Sequence, residues 1–301
     1  KCGEEKMTEL TIREIQLVSL EILHTVATIC EEQNFRYSLI YGTLIGAIRH
    51  HGYIPWDDDV DIMMPRRDYD RFLEYMKIHR EEYPDLRIFN LEECKEYPYM
   101  ITRISDDRYI IKMENEKPYG MGVFIDIYPY DGLGTTEKEA VTYGMKGDRL
   151  SSLCYQSTRE HFAIETTTSL FRKIIKYPIF IGSKLMGKDY FQKKLNQLVE
   201  LKEYEDSNYI GCVVWLSGGK KEIFLRKWFD ETVMVPFEKY QFRVPKDYDE
   251  VLKNIAPKYR AGSLNSIEKK FLIFLSTFFT PAKRVHEMLI LKELFVKEKL
   301  N

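Results

Sequence analysis

Residues 52–66 read GYIPWDDDVDIMMPR, and this stretch decides the fold more than any other part of the chain. Its aspartates fall within five positions, among apolar residues: Asp57, Asp58, Asp59 and Asp61. The segment from Asp58 to Met64 predicts a β-strand, and alternate side chains of a strand share a face. Asp57, Asp59 and Asp61 are therefore expected on one face. Asp58 is expected on the other, as a solvated or structural residue.

Carboxylates that share a face repel one another and cannot all ionise without a counter-charge. A divalent cation that prefers oxygen ligands is the simplest counter-charge, so the spacing predicts a magnesium or manganese site. Asp59 and Asp61 are the expected ligand pair. Asp57 is either a further ligand or a residue that hydrogen-bonds the loop. The alternative for the whole motif is a solvated acidic loop that holds no metal.

The segments on either side of the acidic motif predict a mixed β-sheet flanked by helices. YSLIY predicts a short buried strand, Gly42 and Thr43 a turn, and LIGAIRH a short helix. Further along, GVFIDIY predicts a second strand, which carries Asp126. This order of elements favours an α/β (α+β) chain with a nucleotidyltransferase-like fold.

The remaining segments predict mainly helices. Thr8 or Thr11 is expected to cap a first helix that runs to about Asn34, with Glu14 completing a capping box. Residues 137–205 read as helices rich in Lys and Arg. Two final helices are expected at 266–279 and 281–299.

Composition narrows the classes of function. The net charge of −2 gives no general reason to expect a nucleic-acid partner. The five cysteines are scattered and form no CxxC pair, so we expect neither a zinc site nor a disulfide framework. This pattern favours a reducing compartment. We expect neither a signal peptide nor a transmembrane helix, because the first residues are polar and no apolar run reaches ~20 residues.

The predicted turn and strands suit phosphate chemistry. Backbone N–H groups at Gly42 and Thr43 can receive phosphate oxygens at a helix N-terminus. Asp126 can complete the metal site or take a proton from an attacking hydroxyl, and its alternative is a buried carboxylate that stabilises a turn. Arg49 contacts phosphate or pairs with the acidic loop. Arg103 faces a nucleotide or, like most strand arginines, solvent.

One block of sequence, YGTLIGAIRHHGYIPWDDDVDIMMPRRDYDRF, resembles the signature of the LicD family, which also includes fukutin-type proteins. LTIREIQLVSLEIL, GVFIDIYPYDGL and VPFEKYQFRVPKDYDEVL resemble other parts of that family, from about Met7 to about Leu252. The resemblance implies a magnesium-dependent enzyme that moves phosphocholine from CDP-choline to a hydroxyl of a surface glycan, such as lipopolysaccharide, or of a teichoic-acid precursor. Fukutin-type relatives imply a CDP-ribitol donor instead.

The resemblance also assigns roles to residues. It implies that Asp59 and Asp61 are the metal pair, with Asp57 a further acidic position and Asp126 the third carboxylate. The phosphate-side residues that it implies are Gly42, Thr43 and Arg49. Choline is a quaternary ammonium that aromatic faces bind, and four aromatic residues flank the acidic motifs as candidates, with core packing as the alternative: Tyr41, Trp56, Tyr128 and Tyr130.

The resemblance further implies a division of the chain. Residues 7–260 form the expected catalytic domain, with a core at about 35–135 and a helical, basic part at about 137–260. Residues 261–301 are expected to be a helical extension, because IAPKYRAGS departs from the family pattern. The alternative functions are a nucleotidyltransferase that uses a nucleoside triphosphate and a non-catalytic binding relative.

Residues 170–195 read as a basic amphipathic surface. One interpretation is a peripheral contact with an anionic membrane, where a lipid-linked acceptor would be found. The other is a solvated helix packed on the core. We accordingly expect a cytoplasmic protein, with the inner face of the membrane as the alternative location.

Overall fold

The computed structural model describes residues 8–111, 119–162, 170–215, 219–256 and 290–292. The helices predicted at 266–279 and 281–299 lie outside these ranges, as does the extension 261–301, except for Ile290–Lys292. Those three residues form a strand instead of a helix. Within the described ranges no helix combines the length and the hydropathy that crossing a membrane requires.

Helices and strands alternate up to residue 78, and four strands in succession follow before the next α-helix. The α-helices are α1 Ile12–Gln33, α2 Tyr41–His50, α3 Arg66–Ile78, α4 Glu137–Thr158, α5 Leu170–Met186, α6 Lys188–Val199 and α7 Tyr248–Ile255. The strands are β1 Thr8–Glu9, β2 Ser38–Leu39, β3 Asp61–Pro65, β4 Leu86–Phe89, β5 Thr102–Asp106, β6 Tyr109–Ile111, β7 Val123–Gly134, β8 Tyr209–Gly211, β9 Phe224–Leu225, β10 Thr232–Phe237, β11 Tyr240–Pro245 and β12 Ile290–Lys292.

The main sheet has seven strands and is mixed. Its central order is β2-β3-β7-β5-β4, and β8 extends it from the far end of β7 to β9. β3 and β7 pair in parallel, whereas the other pairs in this sheet are antiparallel. Residues of β3, β5 and β7 are buried throughout, as expected for strands covered on both faces. The predicted mixed α/β architecture is confirmed.

The N-terminal helix begins at the predicted capping box. The Thr11 backbone N–H donates to Glu14 Oε2 at 2.8 Å, and the Glu14 N–H donates to Thr11 Oγ1 at 3.3 Å. These two bonds satisfy N–H groups that a helix start leaves without intrahelical partners. α1 ends at Gln33, and Asn34 caps it in the left-handed conformation. Its apolar side packs on the sheet at β5 and β7.

The acidic strand is shorter than predicted. β3 begins at Asp61, not at Asp58, so the expected alternation of faces before Asp61 is wrong. The Asp57 backbone makes hydrogen bonds outside the sheet. The Gln16 side-chain amide donates to the Asp57 carbonyl at 2.8 Å, and the Asp57 N–H donates to the Ile54 carbonyl at 2.9 Å. Residues 57–60 therefore form a loop that is anchored to α1.

The second half of the chain is less helical than predicted. Helices continue to Val199, but β8, β9 and the β10–β11 hairpin occupy much of 209–245. β7 runs on to Gly134, and its end offers a free edge with which β8 pairs at Asp131 and Gly132. The helical part predicted at about 137–260 therefore contains the helices α4 to α6 and α7, but strands occupy much of the chain between α6 and α7.

Candidate active site

Two buried carboxylates lie side by side at the centre of the sheet. The parallel pairing of β3 with β7 sets Asp61 opposite Asp126. Their exposed fractions are 9% and 2%. The sheet therefore brings together Asp61, one of the predicted metal pair, and Asp126, the predicted third carboxylate.

Burial and mutual repulsion disfavour the charged form of these acids. Burial raises the pKa of Asp61 well above its ordinary value, and the charges of Asp126 and Asp57 raise it further. A hydrogen bond from the Tyr128 hydroxyl to Asp61 acts in the opposite direction. Burial also raises the pKa of Asp126, against the attraction of Arg103.

Arg103 is the buried counter-charge of Asp126. Its Nε donates to Asp126 Oδ1 at 2.7 Å, and the arginine is 0% exposed. The guanidinium carbon lies 4.7 Å from the Tyr99 ring centroid and 4.3 Å from that of Phe124, a cation–π arrangement on both rings. The expectation that Arg103 faces solvent is therefore wrong, since the antiparallel register of β5 and β7 sets it opposite Asp126.

A second acidic cluster lies on the loop before β3. One carboxylate oxygen from each of Asp57, Asp58 and Asp59 lies within 4.8 Å of the others. Asp58 and Asp59 are buried, and Asp57 is partly exposed. The prediction that Asp58 is directed away from its neighbours is wrong, because a loop does not alternate its side chains as a strand does. The strand interpretation therefore did not group Asp58 with Asp57 and Asp59.

The turn at the start of α2 contacts both acidic groups. The Thr43 hydroxyl oxygen accepts a hydrogen bond from the Asp61 N–H at 2.8 Å. A Cβ built on Gly42 would lie 2.8 Å from Asp57 Oδ2, so only glycine permits this close approach. Tyr41 has a φ of 51°, a left-handed conformation that is strained by ~1–3 kcal/mol in a non-glycine residue. Such strain is typical of functional sites.

Arg49 lies on the last turn of α2. It is roughly 10 Å along the helix axis from Gly42, at 1.5 Å per residue. Its Nε is within 2.9 Å of His50 Nε2, and burial lowers its pKa. A phosphate contact by Arg49 stays a prediction.

The predicted aromatic residues are close to the carboxylates and to one another. The rings of Tyr41 and Tyr128 meet edge to face, with centroids 5.1 Å apart. The Tyr130 hydroxyl donates to the Tyr41 hydroxyl at 3.1 Å. These three tyrosines are buried, whereas Trp56 is partly exposed at the edge of the core. Packing accounts for the tyrosines, and choline binding stays a prediction for all four.

The residues present fit a hard divalent cation. Asp61 and Asp126 are buried together and Asp57 acts on Asp61 electrostatically, while Arg103 neutralises only one of these charges. Carboxylate oxygens are the donors that magnesium and manganese prefer. The residues that could hold such a cation are Asp61 and Asp126, with Asp57 and Asp59 on the adjoining loop.

Two glycine variants in α2 are expected to differ in their effects. Gly42→Ala should lower turnover, and Gly46→Ala should lower stability. An added Cβ at position 42 meets only the end of the Asp57 side chain, which can move, and alanine favours helix by up to ~1 kcal/mol. At position 46 it would lie 2.5 Å from the Gly52 carbonyl oxygen, part of the backbone. We therefore expect Gly42→Ala to displace the Asp57 carboxylate and lower turnover about tenfold or more, the scale for a misplaced site residue, without loss of stability.

Gly46→Ala should instead lower the free energy of unfolding by about 1–3 kcal/mol. Thermal melts and turnover of the two variants check the pair of expectations. Equal loss of stability in both would mean that the approach of Gly42 to Asp57 is structural only.

Known proteins resemble most of this chain. Residues 34–151 match the family described as LicD/FKTN/FKRP, nucleotidyltransferase domain, and residues 229–301 match a domain of unknown function (DUF8090). Over 252 residues the chain is 33% identical to the lipopolysaccharide cholinephosphotransferase LicD of Haemophilus influenzae, a match that covers 82% of this chain and 90% of that protein. An uncharacterized protein of Rickettsia typhi is 29% identical over 159 residues, or 46% of this chain and 50% of that protein.

Proposed function

The chain belongs to the LicD family, and from that premise we propose that it transfers phosphocholine from CDP-choline to a hydroxyl group of a cell-surface glycan. The name of the Haemophilus influenzae relative supports the transferred group and a lipopolysaccharide-like acceptor. A teichoic-acid precursor is an acceptor of the same chemistry. The observation that carries the proposal is the pairing of Asp61 with Asp126, because buried neighbouring carboxylates suit the handling of a phosphate-bound cation.

The donor side of the proposed site is the start of α2. Backbone N–H groups at Gly42 and Thr43 would receive oxygens of the diphosphate, since the first N–H groups of a helix lack intrahelical partners. The bond between the Thr43 side chain and β3 holds this turn beside Asp61. Arg49 is a further donor contact in the proposal, through its permanent positive charge.

A divalent cation belongs to the proposal as the cofactor. Magnesium or manganese, held by Asp61, Asp126, Asp59 and Asp57, would neutralise charge on the diphosphate as CMP leaves. Arg103 would hold Asp126 through Oδ1 and leave Oδ2 for other partners. We assign Arg103 a positioning role rather than direct contact with the nucleotide.

The transfer replaces one P–O bond by another. The acceptor hydroxyl oxygen forms a bond to the phosphorus that bears choline, the bond from that phosphorus to CMP breaks, and the hydroxyl proton leaves. Asp126 is the residue we assign to accept that proton, because burial favours its protonated form. Of the four aromatic candidates, Trp56 is partly exposed and is the choline contact that we propose, whereas Tyr41, Tyr128 and Tyr130 are buried in the core.

The direct test is the product released from each donor. We expect CMP from CDP-choline only when a glycan acceptor and magnesium are both present, and no CMP after chelation of the metal. CDP-ribitol in place of CDP-choline tests the choice of donor alcohol. Pyrophosphate release from CTP or ATP would favour nucleotidyl transfer. Absence of CMP with lipopolysaccharide and with teichoic-acid precursors, together with no metal-dependent binding of the donor, would leave a binding relative.

A further inference from the structure

The outer side of α5 carries exposed apolar side chains. Four of them recur at spacings of three and four residues and so share one side of the helix, which we call the apolar face of α5: Ile174, Tyr177, Ile181 and Leu185. Their exposed fractions are 64%, 51%, 39% and 83%. On the opposite side, Phe180 and Ser183 are buried. Among the described residues, α5 packs on α4 and keeps the apolar face of α5 exposed, as it does Ile179 and Met186 elsewhere on the helix.

Basic residues are frequent in this part of the chain. Residues 170–195 contain seven lysines and arginines and one aspartate, whereas the whole chain has a net charge of −2. Lys176 and Lys184 are exposed. The Lys184 ammonium lies 5.7 Å from the Phe180 ring centroid, near the edge of the apolar face. Apolar side chains bordered by lysines are typical of helices that lie in the surface of an anionic bilayer.

Charge complementarity distinguishes a lipid surface from a protein partner. Lysine is depleted at protein–protein interfaces, whereas each lysine close to an anionic bilayer strengthens binding about fivefold. An acceptor anchored in lipid would also require the enzyme to work at a bilayer surface. That second argument rests on the proposed function, and the first does not.

We propose that the apolar face of α5 docks the protein on an anionic lipid bilayer. The apolar side chains enter the boundary between headgroups and acyl chains, and the lysines remain at the level of the lipid phosphates. The partner is identified by its chemistry as a surface of negatively charged phospholipid. This contact is peripheral and is expected to weaken as salt is raised, because the charge attraction is screened.

Flotation of the full chain with vesicles tests the proposal, without donor or acceptor present. We expect binding to phosphatidylcholine vesicles that contain phosphatidylglycerol and little binding to phosphatidylcholine alone. Leu185→Glu should weaken binding by about tenfold or more, since an exposed leucine can bury a whole side chain in the interface. Lys184→Glu should weaken it by about fivefold or more.

Matched controls come from exposed residues elsewhere on the protein. Ile78→Glu changes an apolar residue that is 68% exposed at the end of α3, and Lys227→Glu changes an exposed lysine. Both should bind vesicles like the unchanged chain. Turnover with a delipidated acceptor should be the same in every variant, so a failure of docking is distinguishable from a failure of the proposed chemistry.

Three outcomes would overturn the proposal. The first is the absence of binding to anionic vesicles by the unchanged chain. The second is equal loss of binding in Leu185→Glu and Ile78→Glu. The third is a change of oligomeric state in Leu185→Glu, measured by light scattering, with no change in vesicle binding, which would make the face a contact between copies of the chain.

Discussion

Asp61→Asn is expected to abolish turnover while raising the stability of the metal-free protein. Loss of one carboxylate ligand removes several kcal/mol of charge stabilisation in the transition state, and about 4 kcal/mol corresponds to about a thousandfold in rate. Asparagine keeps the shape of the side chain and can still accept the hydrogen bond from Tyr128. The fold should therefore remain intact.

The stability gain has a defined dependence on pH. The folded-state pKa of Asp61 is raised by burial and by Asp126, so the fold binds this proton more tightly than the unfolded chain does. The wild-type protein consequently loses stability as pH rises from the pKa of an aspartate in the unfolded chain, about 3.9, through the higher pKa of Asp61 in the folded protein. Asp61→Asn lacks that loss, so its advantage should be present at neutral pH and vanish in acid.

Thermal melts with and without magnesium provide the measurement. Magnesium should raise the Tm of the wild-type protein by mass action and leave that of Asp61→Asn nearly unchanged. Asp189→Asn is the matched control, since its side chain is 88% exposed on α6, and it should match the wild type in turnover and in its response to magnesium. Full turnover by Asp61→Asn would contradict the assigned site.

Of the variants considered, Arg103→Met is expected to lower the free energy of unfolding most. It removes the counter-charge of Asp126 and leaves a buried carboxylate beside Asp61, a change that typically lowers the free energy of unfolding by about 3–5 kcal/mol. The cation–π contacts with Tyr99 and Phe124 are lost as well. Because a divalent cation supplies positive charge at the same place, magnesium should restore part of the loss.

A double variant separates charge from packing. Arg103→Met combined with Asp126→Asn removes both charges, so most of the lost stability should return while turnover stays absent. Arg243→Met is the control for an exposed pair, because Arg243 and Glu31 are 36% and 38% exposed, and about 1 kcal/mol or less is expected. A double variant no more stable than Arg103→Met would show that the arginine acts by packing alone. Denaturant unfolding checks all three.

The sequence predicted the elements that carry the chemistry but not all of their boundaries. The alternating apolar residues around Asp126 predicted its strand, and Thr11 was one of the two caps predicted for α1. Alternation failed between Asp57 and Val60, where hydrogen bonds from α1 hold the backbone as a loop. That contact depends on tertiary structure, so no local pattern could predict it.

The side chains that contact the site residues were harder to predict from the sequence than the site residues themselves. Arg103 meets Asp126 because β5 and β7 pair in one particular antiparallel register, and register depends on the whole sheet. An arginine within ITRIS, opposite a strand with one acid, was the only signal of that pair. β8 and β9 were missed because β8 is held by the edge of β7, and strands of two or three residues leave little periodicity to detect.

In the proposed mechanism, carboxylates from β3 and β7 hold one divalent cation between them. A crystal structure of the wild-type chain with manganese and CDP-choline, measured at a wavelength where manganese scatters anomalously, tests it most directly. We expect an anomalous peak at direct coordination distance from carboxylate oxygens of both Asp61 and Asp126, next to the diphosphate. A peak on the Asp57–Asp59 loop alone, or a bound nucleotide with no metal beside these two residues, would contradict it.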